Sequence, residues 1–200
     1  MADNCEIDEL IEQLGEADTE TQSTAVSELV EIGEPAIPAL IEALADVIWD
    51  VCDCAADALA QIGVPAIPAL IEALADEQKN VRLNAADALS RIGAPAVQAL
   101  IEALSDTYQP VRENAVRALS LIGKPANEAV PALIQALRDD DTEVRVYAAV
   151  ALANIGEFAK DAIPALIGAL RDESERVCQH AAFALQKTRS PEAEKALSQL

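Results

Sequence analysis

The sequence has very few aromatic residues and almost no histidine. Aromatic residues make up 2% of the 200 residues, with one Trp, two Tyr, two Phe and a single His. Nucleophilic catalysis needs a base beside the nucleophile, so one histidine allows at most one Cys-His or Ser-His site. The nearest pair is Cys178 and His180, which would point to different sides of a helix. A buried Cys and a surface His explain this pair better, and we predict that the protein is not an enzyme.

Cysteine is also too scarce and too irregularly spaced for a disulfide framework. The four cysteines are Cys5, Cys52, Cys54 and Cys178. Cys52 and Cys54 lie two residues apart, which on a regular helix prevents them from sharing a metal ion or a disulfide. The sequence predicts no strand, and therefore no Gly-rich phosphate-binding loop after one. We predict reduced thiols, no metal and no cofactor.

Positive charge is missing from the first part of the chain. Residues 1–78 contain 19 acids and no base, the first base is Lys79, and the whole chain has a net charge of −21. Nucleic-acid binding requires clustered Lys and Arg, so it is excluded. No window of about 18 residues lacks charge, which excludes a membrane span, and the acidic N-terminus differs from a signal peptide. We predict a cytoplasmic protein, whose acidic part serves either solubility or the attraction of a basic partner.

What the sequence does contain is one motif that recurs along the whole chain. Gly33, Gly63, Gly93, Gly123 and Gly156 recur at spacings of 30, 30, 30 and 33 residues. A phrase such as VRLNAADALSRIG at 81–93 ends at each Gly, and a phrase such as IPALIEALAD at 67–76 follows it. Such self-similarity is the signature of a repeat protein, in which each unit buries its apolar face against its neighbours.

Each repeat is predicted to consist of two helices. In the first helix, apolar residues follow the i, i+3, i+4, i+7 spacing of one helical face, as Ile37, Leu40, Ile41 and Leu44 do. In the second helix, small alanines allow close packing, and the Gly at its end can adopt the positive φ of a helix C-cap. The predicted fold is therefore all-α, a right-handed α-α solenoid of about six helix pairs.

The predicted organisation is a single repeat domain over residues 1–200. Its repeats are expected at about 7–36, 37–66, 67–96, 97–129, 130–162 and 163–187. A C-terminal capping helix is expected at about 190–200, with Ser190 as its N-cap.

The second helices of such solenoids line the concave side, where we expect a binding surface. Their outward positions begin polar and acidic, with Asp57 and Asp87 as candidates to attract a basic partner. They end apolar, and the candidate binding residues there are Leu121, Val146, Tyr147, Val150, His180 and Phe183. Exposed apolar side chains in one patch mark interaction sites. The alternative is that the terminal helix folds back and covers Phe183.

A second candidate surface lies in the turns that join the two helices of a repeat. These turns are polar, except for Val47, Ile48 and Trp49 in repeat two and Tyr108 in repeat four. Trp49 is the only Trp of the chain, and Trp is favoured at binding hot spots. Ile48 and Trp49 either plug the irregular first repeat or anchor a partner, and both alternatives remain open.

The VRxxAAxALxxIG phrase and the Pro-Ala-Leu-Ile helix start resemble HEAT repeats, and within them the short phycobilisome-lyase-like class. The resemblance also implies a polar ladder between adjacent repeats. Its Asp and Arg residues lie six apart, as in Asp76 and Arg82, Asp106 and Arg112, and Asp139 and Arg145. The ladder should be broken where Cys52 and Cys178 replace the Arg.

These observations predict a non-enzymatic protein-binding scaffold or adaptor that uses the face formed by its second helices. The predicted partner is another protein, with a basic segment as one candidate, and not nucleic acid or a membrane. The alternative implied by the resemblance is a bilin lyase subunit or a phycobiliprotein chaperone-like factor. The oligomeric state is left open.

Overall fold

The computed structural model describes residues 4–198, and helices account for nearly all of the regular structure in that range. No strand occurs among these residues, which confirms the predicted all-α class. Between residues 4 and 198, no single helix is long and apolar enough to cross a membrane. One bent pair, Trp49–Ile62 with Val64–Ala73, meets that test by length and composition.

The helices alternate between short first helices and longer second helices. The first helices are α1 (Asn4–Gln13), α3 (Ile37–Ala43), α5 (Ile67–Ala73), α7 (Val97–Ala103), α9 (Val130–Ala136) and α11 (Ile163–Ala169). The second helices are α2 (Thr19–Ile32), α4 (Trp49–Ile62), α6 (Lys79–Ile92), α8 (Gln109–Ile122), α10 (Thr142–Ile155) and α12 (Glu175–Thr188). The two-helix repeat is therefore present as predicted.

The C-terminal helix α13 spans Pro191–Leu197, and the Ser190 side chain accepts a hydrogen bond from the Glu192 N–H, as predicted for its N-cap. Residues 199 and 200, which fall in the predicted range of this helix, lie outside the described residues.

Five of the second helices end at the recurring Gly, which has φ between 66° and 76°. A short 3-10 helix follows each Gly and leads into the next first helix. Repeats four and five are three residues longer than repeats two and three. The additional residues lengthen this 3-10 segment, to Lys124–Ala129 and Gly156–Ala162. The sixth second helix, α12, ends instead at Arg189 with φ 51°. A left-handed residue with a Cβ costs roughly 1–2 kcal/mol, so Arg189 is strained where the other repeats use Gly.

The chain divides into two compact units, unit 1 (residues 1–96) and unit 2 (residues 97–200). The division coincides with the repeat boundary expected after residue 96. Within each unit the core consists of leucines from first helices packed against alanines and leucines from second helices. The fully buried leucines include Leu40, Leu70, Leu100, Leu133 and Leu166. A single repeat domain over 1–200 stays a prediction.

Candidate protein-binding surfaces

The turn between α3 and α4 in unit 1 is held by a side-chain hydrogen bond. The Asp46 Oδ1 atom accepts from the Ile48 N–H at 2.7 Å. The equivalent aspartates of the later repeats make the same bond to the residue two positions on, and they are Asp76, Asp106, Asp139 and Asp172. Because the bond recurs whatever residues fill the turn, the backbone geometry is set by the aspartate and not by Val47, Ile48 or Trp49.

The side chains of this turn, which we call the Val47–Trp49 turn, point into solvent. Val47 is 97% exposed, Ile48 50% and Trp49 71%. Trp49 therefore does not plug the first repeat, and that alternative is wrong. An exposed run of three apolar residues, one of them the only Trp, fits the other alternative, in which the turn contacts a partner.

Ile48 also occupies a position that normally calls for a polar residue. It is the N-cap of α4, and its side chain makes no capping hydrogen bond. Asp18 and Asp141 do make such bonds at the N-caps of α2 and α10. A missing cap costs roughly 0.5–2 kcal/mol. The Ile48 side chain therefore contributes neither to the buried core nor to the capping of α4.

The acidic residues on the second helices of unit 1 surround one arginine. Asp57 on α4 and Asp87 on α6 are both partly exposed, as predicted. Arg91 lies 2.8 Å from the Asp87 Oδ2 atom and 3.8 Å from the Asp57 Oδ1 atom, and it also pairs with Asp53. Three carboxylates share one guanidinium, so a negative excess remains. The i, i+4 spacing of Asp87 and Arg91 could have predicted part of this cluster, but Asp53 lies 38 residues before Arg91.

In unit 2, Val146 is not part of a surface. It is 2% exposed, because α10 packs between α8 and α12 and this position faces a neighbouring helix. Its assignment as a binding residue was wrong. The equivalent positions in other repeats, such as Asp53 and Leu83, are only partly buried.

The other predicted residues of unit 2 remain accessible to different extents. Leu121 is 52% and Phe183 46% exposed, while Tyr147, Val150 and His180 are half-buried. The terminal helix α13 contacts α11 and α12 but leaves Phe183 accessible, so it does not cover that side chain. We call Leu121, Val150 and Phe183, which lie on α8, α10 and α12, the apolar row.

Arg117 lies one turn before Leu121 on α8, at the repeat position that Val150 and Phe183 occupy on α10 and α12. Its Nη1 atom lies 3.4 Å from the Tyr147 hydroxyl. Its Nε atom is buried and has no hydrogen-bond partner among residues 4–198. Nothing in the sequence marks Arg117 as a residue with a buried donor that lacks a partner. Tyr108, at the N-cap of α8, is 48% exposed and stands in a turn whose other residues are polar.

Unit 2 contains the expected ladder of Asp and Arg residues between adjacent repeats. Its arginines, however, do not pair with the carboxylate of the Asp six residues earlier. Arg145 donates to the carbonyls of Asp139 and Asp140 in its own repeat. It also makes two bonds, of 2.9 and 3.1 Å, to the Asp172 carboxylate of the next repeat. Arg112 pairs in the same way with the Asp139 carboxylate. Each arginine thus donates to the backbone carbonyl of the Asp in its own repeat and to the carboxylate of the equivalent Asp in the next repeat.

These pairs change the acidity of their carboxylates. Burial alone would raise the pKa of Asp172, but hydrogen bonds from Arg145 and from the Ser174 N–H outweigh it and lower the pKa below its ordinary value. The same balance, with Arg112 as the donor, lowers the pKa of Asp139. These carboxylates therefore stabilise unit 2 in their ionised form.

The ladder is interrupted at two cysteines, as expected. The Cys52 thiol donates to the Trp49 carbonyl, and the Cys178 thiol to the Asp172 carbonyl, so neither reaches a carboxylate of the next repeat. Burial and the charge of Asp53 raise the pKa of the Cys52 thiol, and the same causes raise that of Cys54. Both thiols are therefore poor nucleophiles at neutral pH.

Within the described residues, no three His, Cys, Asp or Glu side chains are grouped to hold a metal ion.

Several solved structures share this fold. A designed armadillo repeat protein, solved in complex with the peptide (KR)4, is 23% identical with a TM-score of 0.52, covering 92% of this chain and 100% of its own. The Escherichia coli protein YibA is 22% identical with a TM-score of 0.54, covering 96% and 74%. Kap95p, from a structure with RanGDP, is 15% identical with a TM-score of 0.56, covering 92% and 30%. At these identities the likeness establishes the fold alone.

The sequence comparison identifies the family. Among curated proteins, none matches the sequence significantly. A family model described as HEAT repeats matches residues 7–79, 67–132 and 130–200, which together span nearly the whole chain. The match does not separate the phycobilisome-lyase-like class from other HEAT repeats. With its alternating helix pairs and Gly-ended second helices, the chain belongs to the HEAT repeat family.

Proposed function

We propose that this chain is a non-enzymatic protein-binding scaffold and that unit 1 binds a basic segment of its partner. The observation that carries the proposal is the exposed Val47–Trp49 turn in an acidic unit. HEAT and armadillo repeats typically bind peptides or proteins, and the designed armadillo repeat protein of the same fold was solved with a peptide of Lys and Arg.

The charge of unit 1 supports a basic partner. Unit 1 contains 20 acids and 3 bases, a net charge of −17, whereas unit 2 has a net charge of −4. Asp46 and Asp50 flank the turn in the sequence, and the Asp53, Asp57 and Asp87 carboxylates on α4 and α6 outnumber their one arginine partner. Such a field accelerates the encounter with a cationic segment and disfavours anionic ones.

The chemistry of Trp49 supports the same partner. The face of an indole ring attracts the ammonium of Lys and the guanidinium of Arg more strongly than other aromatic side chains do. Ile48 and Val47 add apolar surface beside it, against which the aliphatic stems of Lys and Arg can pack. A segment of Lys and Arg would therefore bury its stems on the turn and direct its charges to the surrounding carboxylates.

The test is to replace Ile48 with Ser and measure both stability and binding of the peptide (KR)4. We expect Ile48→Ser to change the free energy of unfolding by no more than about 0.5 kcal/mol, because Ile48 is half exposed and Ser174, at the equivalent N-cap of α12, makes no side-chain capping bond. We expect the same change to weaken peptide binding about tenfold, because it removes part of the apolar contact. Urea denaturation and isothermal titration calorimetry measure the two effects.

The matched control is Gln78→Ser, since Gln78 is the N-cap of α6 and also lacks a side-chain capping bond. It should change stability as little as Ile48→Ser does and leave peptide binding unchanged. Binding of (KR)4 by Ile48→Ser at the wild-type affinity would show that the Val47–Trp49 turn does not bind the basic segment.

Arg91 gives an independent test of the acidic residues. Arg91→Gln removes the cation that pairs with Asp53, Asp57 and Asp87, so we expect (KR)4 to bind several-fold more tightly at low salt. The gain should shrink at high salt, because partly exposed charges are screened. Arg91→Lys, which keeps the charge, should bind like the wild type. Unchanged binding by Arg91→Gln would mean that these carboxylates do not contact the peptide.

A further inference from the structure

Unit 2 contains a cavity whose charge is opposite to that of the chain. The cavity has a volume of about 430 Å³ and lies where α10 and α12 end. Its polar and aromatic lining comes from Lys124, Asn154, Glu157, Phe158, Lys187 and Arg189. Three bases and one acid give the lining a net charge of +2, in a chain whose net charge is −21. Cavities of this size suit small ligands or single side chains of a partner.

Two of the three bases have no acidic partner in the described part of the chain. Arg189 pairs with Glu157 at 2.8 Å. Lys124 and Lys187 form no ion pair among residues 4–198. The Lys187 ammonium instead lies 4.9 Å from the centre of the Phe183 ring. Two ammonium groups are therefore available to an anion that enters the cavity.

The repeat itself does not require these cations. A base near a helix C-terminus interacts favourably with the helix dipole. However, the last turns of α2, α4, α8 and α10 contain no base, and these helices end normally at Gly. Arg189 occupies the position of that Gly in a strained left-handed conformation. Strained residues cluster at functional sites, so Arg189 points to a role beyond ending a helix.

The cavity continues directly from the apolar row. Along α10 and α12, the residues four positions after Val150 and Phe183 are Asn154 and Lys187, which line the cavity. Such spacings place successive residues on the same helical face. On α8, Arg117 occupies the repeat position that Val150 and Phe183 occupy on α10 and α12, and its buried Nε atom lacks a partner among residues 4–198. The apolar surface of α10 and α12 thus leads directly into the cavity that contains the two ammonium groups.

We propose that this cavity binds an oxyanion carried by a protein segment, while apolar side chains of the same segment pack on the apolar row. The oxyanion is the carboxylate of Asp or Glu, or the phosphate of a phosphorylated Ser or Thr. Both present acceptor oxygens to Lys and Arg, which is the chemistry that the cavity supplies. The proposal rests on the function as a protein-binding scaffold, but it concerns unit 2 and a ligand of opposite charge.

The test uses the full chain and four probes, namely peptides of four Glu-Leu, four phosphoserine-Leu or four Lys-Leu units, and inorganic phosphate. We expect the two anionic peptides to bind through the cavity, and the Lys-Leu peptide, whose charge suits unit 1, to bind with an affinity that substitutions in the cavity do not lower. The double variant Lys124→Gln/Lys187→Gln should lose at least tenfold in affinity for the anionic peptides. The matched variant Lys160→Gln/Lys195→Gln removes the same charge from exposed lysines outside the cavity and should bind like the wild type.

Each outcome decides the proposal. A strong preference for the phosphoserine peptide would identify phosphate as the oxyanion. Similar affinities for the two anionic peptides would show that the cavity accepts either a carboxylate or a phosphate. An equal loss of Lys-Leu and anionic peptide binding in Lys124→Gln/Lys187→Gln, or an equal loss of anionic peptide binding in both double variants, would overturn the cavity as the site. Inorganic phosphate binding as tightly as the peptides would overturn the role of the apolar row. Binding of (KR)4 depends on residues of unit 1. A failure of the proposed function would therefore appear in the (KR)4 experiments, independently of the result for the cavity.

Discussion

Replacing Arg145 with Met is expected to lower the free energy of unfolding of unit 2 by about 3–5 kcal/mol, the usual cost of breaking a buried ion pair. The Arg145 side chain is 8% exposed and that of Asp172 is 13% exposed. Met has a similar length and leaves the packing largely filled, but it removes the donors to the Asp172 carboxylate and to two backbone carbonyls. Those acceptors would stay partly buried without partners, which accounts for the size of the loss.

The matched control is Arg176→Met. Arg176 pairs with Glu143 across the same two repeats, but the two side chains are 56% and 38% exposed. A solvent-exposed pair contributes about 0–1 kcal/mol, so this variant should unfold nearly like the wild type. Urea denaturation gives the free energies, and hydrogen exchange of unit 2 amides locates the loss. Equal, small effects of both substitutions would show that the ladder does not stabilise unit 2.

Replacing Trp49 with Ala is expected to weaken (KR)4 binding about 30-fold, which corresponds to about 2 kcal/mol at a hot spot. Because Trp49 is 71% exposed, its removal should change the free energy of unfolding by no more than about 0.5 kcal/mol. The large loss would come from the cation-ring contact and from apolar surface that the peptide no longer covers.

Two comparisons make the Trp49 result specific. Val64→Ala truncates another exposed apolar residue of unit 1, 63% exposed and outside the turn, and it should bind (KR)4 like the wild type. Trp49→Phe keeps an aromatic ring and should recover part of the affinity. In the wild type, Trp49 is the single Trp, so its fluorescence reports binding directly. An affinity of Trp49→Ala equal to that of Val64→Ala would contradict the anchor role.

The features that sequence predicted correctly are those fixed by neighbouring residues. The helix pairs follow from apolar spacing, and the ends of five second helices follow from a Gly that can take positive φ. The Ser190 cap likewise depends on residues within one turn. These predictions needed no knowledge of which helices touch.

The features that could not be predicted from the sequence depend on contacts between residues of different repeats. Val146 was assigned to the surface because its helical position was judged without the helices on either side of α10. Arg91 reaches Asp53 from the next repeat, and Arg145 reaches Asp172 in the following one. The cationic cavity brings Lys124 together with Lys187, 63 residues later. Only packed repeats bring such pairs together.

The hydrogen bond from the Ile48 N–H to Asp46 has a consequence for the rates of binding. Because the Val47–Trp49 turn is already held in one conformation, a partner does not have to order it, and association is limited by diffusion and by the attraction of charges. Salt would therefore slow association with a basic segment, since it screens that attraction. The contact with the indole ring acts after the encounter and sets the lifetime of the complex. Charge thus controls how fast this surface finds its partner, and Trp49 controls how long it keeps it.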